Sequence, residues 1–103
     1  MERYITRGIA SHLPLVVQIQ IWELLSQREN EQSIENDEMD YFHIFRFNTY
    51  NDQLYIKHKQ ERPEYIKIHK ANYQKAINIS KVYVIREDDV DLSYYVMMLP
   101  EEY

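Results

Sequence analysis

The sequence contains no cysteine, one glycine and three prolines among its 103 residues. Without cysteine, the chain can form neither disulfides nor thiolate metal sites. Glycine-rich phosphate loops and dinucleotide-binding turns need several positions free of a Cβ atom, so a single Gly8 excludes both. These absences remove most of the cofactor classes that a short motif could reveal, and we expect no cofactor.

Long apolar runs are also missing. No segment approaches the ~18 apolar residues of a membrane span. Met1 leads directly into patterned sequence, without the pattern of a secretory signal. We therefore expect a cytoplasmic protein without a membrane partner. The length and the 45% of apolar residues predict a single domain over residues 1–103 with a small buried core.

Charge is distributed unevenly, although the net charge is only −5. Residues 23–40 hold seven acidic side chains and one basic one, whereas residues 56–81 hold seven basic and two acidic ones. Ten tyrosines accompany this pattern, and tyrosine is typical of half-buried sheet faces and interfaces. A solvated surface with uneven charge is the ordinary interpretation; a surface that attracts a charged partner is the alternative.

Hydrophobic spacing divides the chain into one long helix and several strands. The Ser11–Pro14 start signal and the apolar spacing after it predict a helix over 14–28, followed by an acidic loop over 29–39. The apolar arc of this helix exceeds half of its circumference, so we expect cover on more than one side. Strand patterns occur at 3–7, 40–48, 54–58, 81–86 and 92–99. We expect a short helix or turn over 66–79.

These elements predict an α+β fold, with a mainly antiparallel sheet of four or five strands and one long helix packed on one face. Three of the strands carry apolar residues on both faces, whereas a one-sided sheet alternates apolar with polar. Leaving about 400 Å² of apolar surface in water would forgo about 10 kcal/mol at ~25 cal/mol per Å². The face without the helix is therefore expected to meet the 66–79 segment, a loop or another molecule.

The polar run from Ile56 to Tyr65 surrounds Pro63, which should end regular strand pairing near Glu61. A structural role, contact with a partner, and acid–base work by Glu61 and Glu64 are the three interpretations open for this run. The candidate interaction residues are His58, Gln60, Glu61, Arg62, Glu64 and Tyr65.

Metal and nucleophilic chemistry find no matching pattern. His43, His58 and His69 lack the i, i+4 helical spacing of a histidine metal pair, and no thiolate can assist them. No serine occupies a nucleophile elbow. We therefore expect no catalytic residue and no metal site, and a protein that is not an enzyme.

A basic strip in the same region offers a different function. Lysines interleaved with Tyr65 and Tyr73 are similar to the cationic, ring-lined grooves that hold single-stranded nucleic acid. The strip contains Lys57, Lys59, Arg62, Lys67, Lys70, Lys75 and Lys81, and its candidate binding residues are Lys57, Lys59, Lys67, Lys70 and Lys75. Acidic charge elsewhere in the chain counts against this alternative, because phosphate attraction is a long-range effect.

Several segments together give the chain a family resemblance. They are Arg3–Ile9, Leu13–Leu15 with Gln18 and Trp22, Asp40–Phe42 with Phe45, the run His58–Tyr65 with its Gln60, Glu61, Pro63 and Glu64, Lys81–Ile85, and Glu101–Tyr103. In these segments the chain resembles the family described as domain of unknown function 960, found in staphylococci and related Gram-positive bacteria. The tyrosine-rich stretch 91–98 departs from that family pattern.

The resemblance implies a small bacterial protein encoded on mobile or accessory DNA, and it implies no activity. Together with a sheet that is apolar on both sides, it leads to the hypothesis of a protein-interaction module, which includes a homodimer as one form. An accessory protein that binds single-stranded nucleic acid is the alternative.

Overall fold

The computed structural model, which describes residues 1–35 and 40–103, has a six-stranded sheet with one long helix across one face. The strands are β1 (Glu2–Ile5), β2 (Phe42–Tyr50), β3 (Gln53–Gln60), β4 (Tyr65–Lys70), β5 (Lys81–Asp88) and β6 (Ser93–Met98). The helices are α1 (Arg7–His12), α2 (Leu15–Glu35) and a short 3₁₀ helix (Pro100–Glu102). None of the described helices has both the length and the apolar character required to cross a membrane.

The strands lie in the order β1-β6-β5-β2-β3-β4, which places β1 and β4 at the two edges. β1 pairs with β6 in parallel, and the other four pairs are antiparallel. The prediction of an α+β fold with one long helix is confirmed. The predicted number of four or five strands is wrong, and the parallel pair was not expected, because sequence patterns locate strands without showing which strands become neighbours.

The helix or turn predicted over 66–79 is also wrong. Residues 65–70 form β4, and residues 71–80 follow without regular structure. Ile66 and Ile68 alternate with Lys67 and His69, which is the period of a strand. The helical spacing seen in the sequence came from apolar residues beyond Lys70, which belong to the irregular segment.

The irregular segment 71–80 packs on the helix side of the sheet. The side-chain amide of Gln20 in α2 donates to the carbonyl of Lys70 at 2.9 Å, and its oxygen accepts from the N–H of Asn72 at 2.7 Å. Ala71 is buried, and the side chains of Tyr73, Ile77 and Ile79 pack against the core. This segment therefore does not cover the opposite face of the sheet.

Helix α2 is longer than predicted, because residues 29–35, assigned to an acidic loop, continue it. Residues 36–39, the remainder of that predicted loop, lie outside the described residues. A hydrogen bond of 2.7 Å between Arg28 and Gln32, one turn apart, supports the extension. The irregular segment contacts α2 at Gln20, but Leu15 and Ile19 of the predicted apolar arc are exposed, so the arc is covered only in part.

The segment around Gly8 joins the first and last parts of the chain. A single strand was expected over residues 3–7. In the structure β1 ends at Ile5, and α1 begins after Thr6. The carboxylate of Glu102 accepts from the Thr6 hydroxyl at 2.6 Å and from the Gly8 N–H at 3.1 Å, and these hydrogen bonds lower the pKa of Glu102. A Cβ on Gly8 would lie 2.6 Å from the side-chain ends of Leu99 and Glu102, so a larger residue here would require these two side chains to shift.

The core lies between α2 and the near side of the sheet. Its fully buried side chains include Val17, Ile21, Leu25, Phe45, Ile56, Val84 and Met97. Burying a side chain of this size stabilises the fold by about 1.5–3 kcal/mol. The core is therefore complete on one face of the sheet, which leaves the other face for a separate role.

Candidate binding face

Strand register defines the side of the sheet that points away from α2, which we call the open face. It consists of the even-numbered residues of β1, β2, β4 and β6 and the odd-numbered residues of β3 and β5. As predicted, the central strands are apolar on both faces, because Phe42, Ile44, Ile85 and Val96 lie on this side. In the described residues, no helix packs on the open face.

Tyr103 is the residue that comes closest to covering this face. Its ring centroid lies 5.5 Å from that of Phe42 and 5.8 Å from that of Tyr83, and both contacts are edge-on. Ile85 is only 4% exposed in this region. The β5–β2 part of the open face is therefore partly closed by the chain's own aromatic residues, while the β3–β4 part is not.

A row of basic side chains crosses the open face. Arg46 on β2 is paired directly with Lys81 on β5 and with Lys57 on β3. Lys59 and Lys70 lie nearby on the same face, and none of these five cations forms an ion pair with the acidic residues that the structure describes. Like charges directly opposite each other destabilise a sheet. An anionic partner would relieve this repulsion.

Two acidic side chains of α2, on the other side of the molecule, are paired with cations. Glu29 lies 3.9 Å from Arg3, and Glu31 lies 3.4 Å from Arg28 and 3.6 Å from Lys67. On the open face, five cations stand against Glu2 and Glu87, a local excess of three positive charges. The described residues therefore pair positive charge on the helix side and leave it unpaired on the open face.

The structure divides the lysine strip predicted from the sequence. Lys57, Lys59 and Lys70 share the open face. Lys67 points to the helix side, where its ammonium lies 3.6 Å from the carboxylate of Glu31, and Lys75 belongs to the irregular segment. Lys81, which the sequence also includes in the strip, lies on the open face beside Arg46, and Arg46 is the member of the basic row that was missed. Strand parity could have assigned their faces, but only the pairing of β2 with both neighbours brings them together.

The candidate interaction residues of the run from His58 to Tyr65 fall into two groups. His58 and Gln60 are buried on the helix side and Tyr65 is half-buried there, so they contribute to the interior. Glu61, Arg62 and Glu64 are exposed in the turn between β3 and β4, where the peptide bond before Pro63 is cis. Strand β3 ends at Gln60, which confirms that pairing stops before Pro63.

The turn is held from outside by Asp40. One carboxylate oxygen of Asp40 accepts from the backbone N–H groups of Glu61 and Arg62, at 3.2 and 3.0 Å. The other accepts from the N–H of Phe42 at 3.2 Å. Turn backbone groups that the sheet cannot pair are satisfied in this way.

The same turn is held from inside by a buried polar network. The Gln60 amide donates to the carbonyl of Pro63 at 2.8 Å and to the side chain of Gln32 at 3.0 Å, while its oxygen accepts from Arg28 at 3.2 Å. The Arg28 guanidinium is buried and lies 4.0 Å from the ring centroid of Tyr65. The structural interpretation of the run therefore accounts for its buried members.

His43 and His58 form a buried pair on neighbouring strands. Nδ1 of His43 lies 2.9 Å from Nε2 of His58, and Nε2 of His43 lies 2.9 Å from the carbonyl of Asp40. Because that carbonyl can only accept, the neutral His43 carries its proton on Nε2, and His58 then donates to Nδ1 of His43. Nδ1 of His58 is buried without a partner.

Burial keeps both rings neutral. Desolvation lowers the pKa of His43 to about 4, although the carbonyl of Asp40 opposes this shift. Desolvation, followed by repulsion from His43, lowers the pKa of His58 to about 2. Within the described chain, no group of three or more acidic or histidine side chains is arranged to hold a metal ion.

Two depressions mark the open face. A cleft of about 540 Å³ lies beside the Pro63 turn and is lined by Phe42, Ile44, Lys59, Arg62 and Tyr103, together with Asp40, Tyr41, Gln60 and Glu61. Neither His58 nor Glu64 lines it, so the acid–base combination considered in the sequence is not assembled there. A smaller apolar groove of about 280 Å³ lies between Tyr50, Tyr55 and Ile68 near Lys57 and Asn48.

Comparison with protein families gives one match over almost the whole chain. A family model described as staphylococcal protein of unknown function (DUF960) matches residues 2–102. A crystal structure of a protein of unknown function from Enterococcus faecalis has a similar fold, with a TM-score of 0.75 and 17% sequence identity. The similarity covers 99% of this chain and 90% of that one. A comparison with curated proteins gives no match.

Proposed function

Because the chain belongs to this staphylococcal family of unknown function, we propose a function from its own geometry: it is a non-enzymatic protein-interaction module, and the open face of its sheet is the contact surface. The proposal extends the hypothesis drawn from the sequence by naming the surface. Encoding on mobile or accessory DNA stays a prediction of the family resemblance.

The observation that carries the proposal is the unequal cover of the two faces. The helix side buries a full core, while the open face leaves Ile66 50% and Ile68 63% exposed. These two side chains are neighbours on the same face of β4. Exposed apolar side chains that cluster, rather than scatter, mark contact surfaces on soluble proteins. Tyrosine and arginine, which are enriched at interfaces, surround them at Tyr55 and Arg46.

Charge favours a partner different from the chain itself. Two open faces placed against each other would bring together two surfaces that each carry an excess of three positive charges. A partner with acidic side chains would neutralise the row of Arg46, Lys57 and Lys81, and its apolar side chains would cover Ile66 and Ile68. We therefore expect the purified protein to sediment as a monomer at micromolar concentration and to bind an acidic protein.

A photocrosslinking amino acid placed at Ile68 in the native host tests this proposal. The same group placed at Leu15, an exposed apolar residue of α2, serves as the control. The captured protein is then purified, and its affinity for the unmodified chain is measured. We expect Ile68→Asp to weaken binding at least tenfold and Leu15→Asp to change it less than threefold. Equal effects of the two substitutions would place the contact elsewhere.

Single-stranded nucleic acid is a second candidate, favoured by the basic row next to the groove between Tyr50 and Tyr55. Cations that follow a strand and rings that stack on bases are the two parts of such sites. Retention of a fluorescent oligothymidine at ~50 mM salt, lost with Arg46→Glu, would support it. The acidic α2 and the edge-on packing of Tyr103 over Phe42 and Tyr83 make this candidate the weaker of the two.

A further inference from the structure

We propose that β4 is the docking edge for an extended acidic segment of the partner protein, which adds to the sheet as a seventh strand. This inference rests on the proposed function and specifies how the partner is held. It combines the backbone of an edge strand with the charge and the apolar side chains of the open face.

The backbone of β4 offers the first half of the site. β4 pairs with β3 on one side, and no strand of the described residues lies beyond its other side. The carbonyl of Lys70, at the end of β4, already accepts from Gln20, so the groups left for a partner precede it. An edge strand leaves alternate N–H and C=O groups unpaired, and an extended segment can satisfy them by adding as another strand. The main-chain hydrogen bonds supply affinity in this mode of binding, and the flanking side chains supply specificity.

The opposite edge is less suited to this role. β1 has four residues, against six in β4. Arg3 in β1 is already engaged, because its guanidinium donates to Ser26 and lies 3.9 Å from the carboxylate of Glu29. β4 is therefore the longer of the two edges, and it exposes two isoleucines on the open face, where β1 presents Glu2 and Tyr4.

The side chains around β4 indicate the chemistry of the added strand. Ile66 and Ile68 lie on the open face, with Lys59 and Lys57 as their direct cross-strand partners on β3. Lys70 continues the same face of β4. A segment beside β4 would thus contact two exposed isoleucines and would come within reach of three flexible ammonium groups. Carboxylates alternating or mixed with aliphatic side chains match this surface.

The same charges argue against pairing between two copies of β4. Lysines on an edge strand are a common device against edge-to-edge association, because identical edges repel. Lys70 on β4 would approach its equivalent in a second copy, and Lys57 and Lys59 would lie close behind. An acidic segment would be attracted by the same lysines. The charge of this edge therefore disfavours self-association and favours an acidic partner.

Peptide binding to the whole protein tests the inference directly. The probes are the capped peptide Glu-Val-Glu-Val-Glu-Val-Glu, its counterpart with lysine in place of glutamate, and a seven-nucleotide oligothymidine. We expect the acidic peptide to shift the backbone amide resonances of β4 and to bind at least tenfold more tightly than the lysine peptide. Tighter binding of the oligothymidine would overturn the inference, and so would the absence of binding by any peptide.

Two N-methylated versions of the acidic peptide separate strand addition from simple charge attraction. One carries methyl groups on the odd-numbered amides and the other on the even-numbered amides. Because alternate N–H groups of an added strand point to its neighbour, we expect one version to lose at least tenfold in affinity and the other less than threefold. Equal losses would exclude strand addition without excluding the open face as a contact surface.

A pair of charge reversals supplies the control on the protein side. Lys70→Glu and Lys75→Glu change the net charge equally, but Lys70 lies on the open face of β4 whereas Lys75 lies in the irregular segment. We expect Lys70→Glu to lower the affinity for the acidic peptide at least fivefold and Lys75→Glu to lower it less than twofold. The amide spectra should be unchanged away from each site. Equal losses of affinity would mean that only net charge matters, which would contradict the proposal that β4 is the docking edge. The natural partner's sensitivity to Ile68→Asp is a separate measurement, so the broader proposal can stand if this one fails.

Discussion

The two faces of the sheet use polar groups in opposite ways. On the covered face, Arg28, Gln60 and His43 are buried, and each is hydrogen-bonded to neighbouring groups of the fold. On the open face, Arg46 and Lys57 lie next to each other without an acidic partner in the described chain. Polar groups on the first face therefore maintain the architecture, while those on the second remain available for another molecule.

The contrast also explains why the polar run near Pro63 gives a misleading signal in the sequence. An unusual cluster of charged and amide residues indicates function when read along the chain. In the fold, its most distinctive members belong to the interior: Gln60 holds the turn through the Pro63 carbonyl, and His58 is buried against His43. The less unusual lysines of β3 and β4 are the ones that reach solvent together.

The largest expected difference between the faces is in core packing. Ile56→Ala removes a fully buried side chain and should lower the free energy of unfolding by about 2–5 kcal/mol. Ile68→Ala, on the neighbouring strand, removes a side chain that is 63% exposed and should change it by about 0.5 kcal/mol or less. Urea unfolding of both variants measures the difference. Similar losses would show that Ile68 is packed in solution and that the open face is covered.

The second expected effect is the acid sensitivity of the covered face. The folded pKa of His43 is about 4 and that of His58 is lower still, whereas the ordinary histidine value is 6.5. The unfolded chain therefore takes up protons first as the pH falls. The contribution of the neutral histidine pair to the free energy of unfolding should be fully present above pH 6.5 and should be lost between pH 6.5 and 4. At ~1.4 kcal/mol per pKa unit, His43 accounts for at most ~3 kcal/mol of this loss.

Urea midpoints at about pH 7.5 and 5 test this linkage. The His43→Gln variant should lose less stability over this range than the unmodified protein, whatever its stability at neutral pH. His12→Gln, which alters an exposed histidine of α1, should leave the pH dependence unchanged. An unmodified protein with the same midpoint at both pH values would mean that the histidine pair is not kept neutral by burial.

The third expected effect concerns the two kinds of residue in the Pro63 turn. Gln60→Ala removes the partner of Arg28 and of the Pro63 carbonyl in a buried site, which should cost about 1–3 kcal/mol. Glu61→Ala, one residue away but exposed, should change the free energy of unfolding by about 0.5 kcal/mol or less. Thermal or urea unfolding distinguishes them. A mild effect of Gln60→Ala would imply that water replaces the lost hydrogen bonds.

Much of the fold could be predicted from local patterns. Apolar spacing indicated α2 and the strands β2, β3, β5 and β6, and the lack of a polar side in the central strands indicated a second contact face. The error at 66–79 arose because the residues spaced as in a helix lie mostly beyond Lys70, in the irregular segment, whereas β4 itself has the period of a strand. Strand order could not be predicted, since the β1–β6 pairing joins residues more than ninety positions apart.

The candidate site could be predicted only in part. Lys57, Lys59 and Lys70 were identified from charge and spacing, and they do share a face. The predicted strip includes Lys67 because it is close in sequence to the other lysines, whereas alternate strand residues point to opposite sides. Arg46 was missed because its proximity to Lys57 and Lys81 depends on β2 lying between β3 and β5, which no local pattern determines.

The smallest expected effect tests the open face by its own repulsion. Lys57→Glu replaces a like-charged neighbour of Arg46 with an opposite charge, so it should raise the free energy of unfolding by about 0.2–1 kcal/mol at low salt. The gain should shrink as salt screens the pair over a Debye length of ~10 Å at 0.1 M. Urea unfolding at low and high salt measures both changes, with Lys75→Glu as a control of equal charge.

The same Lys57→Glu substitution should also weaken binding of the acidic peptide. A residue that lowers stability while it improves binding is kept for its contact with a partner, because the isolated fold would be better without it. Loss of stability at low salt in the Lys57→Glu variant would show that the basic row is not strained in the free protein. Repulsion would then give no reason to expect an anionic partner. Only the exposed apolar side chains of β4 would then support the open face as a contact surface.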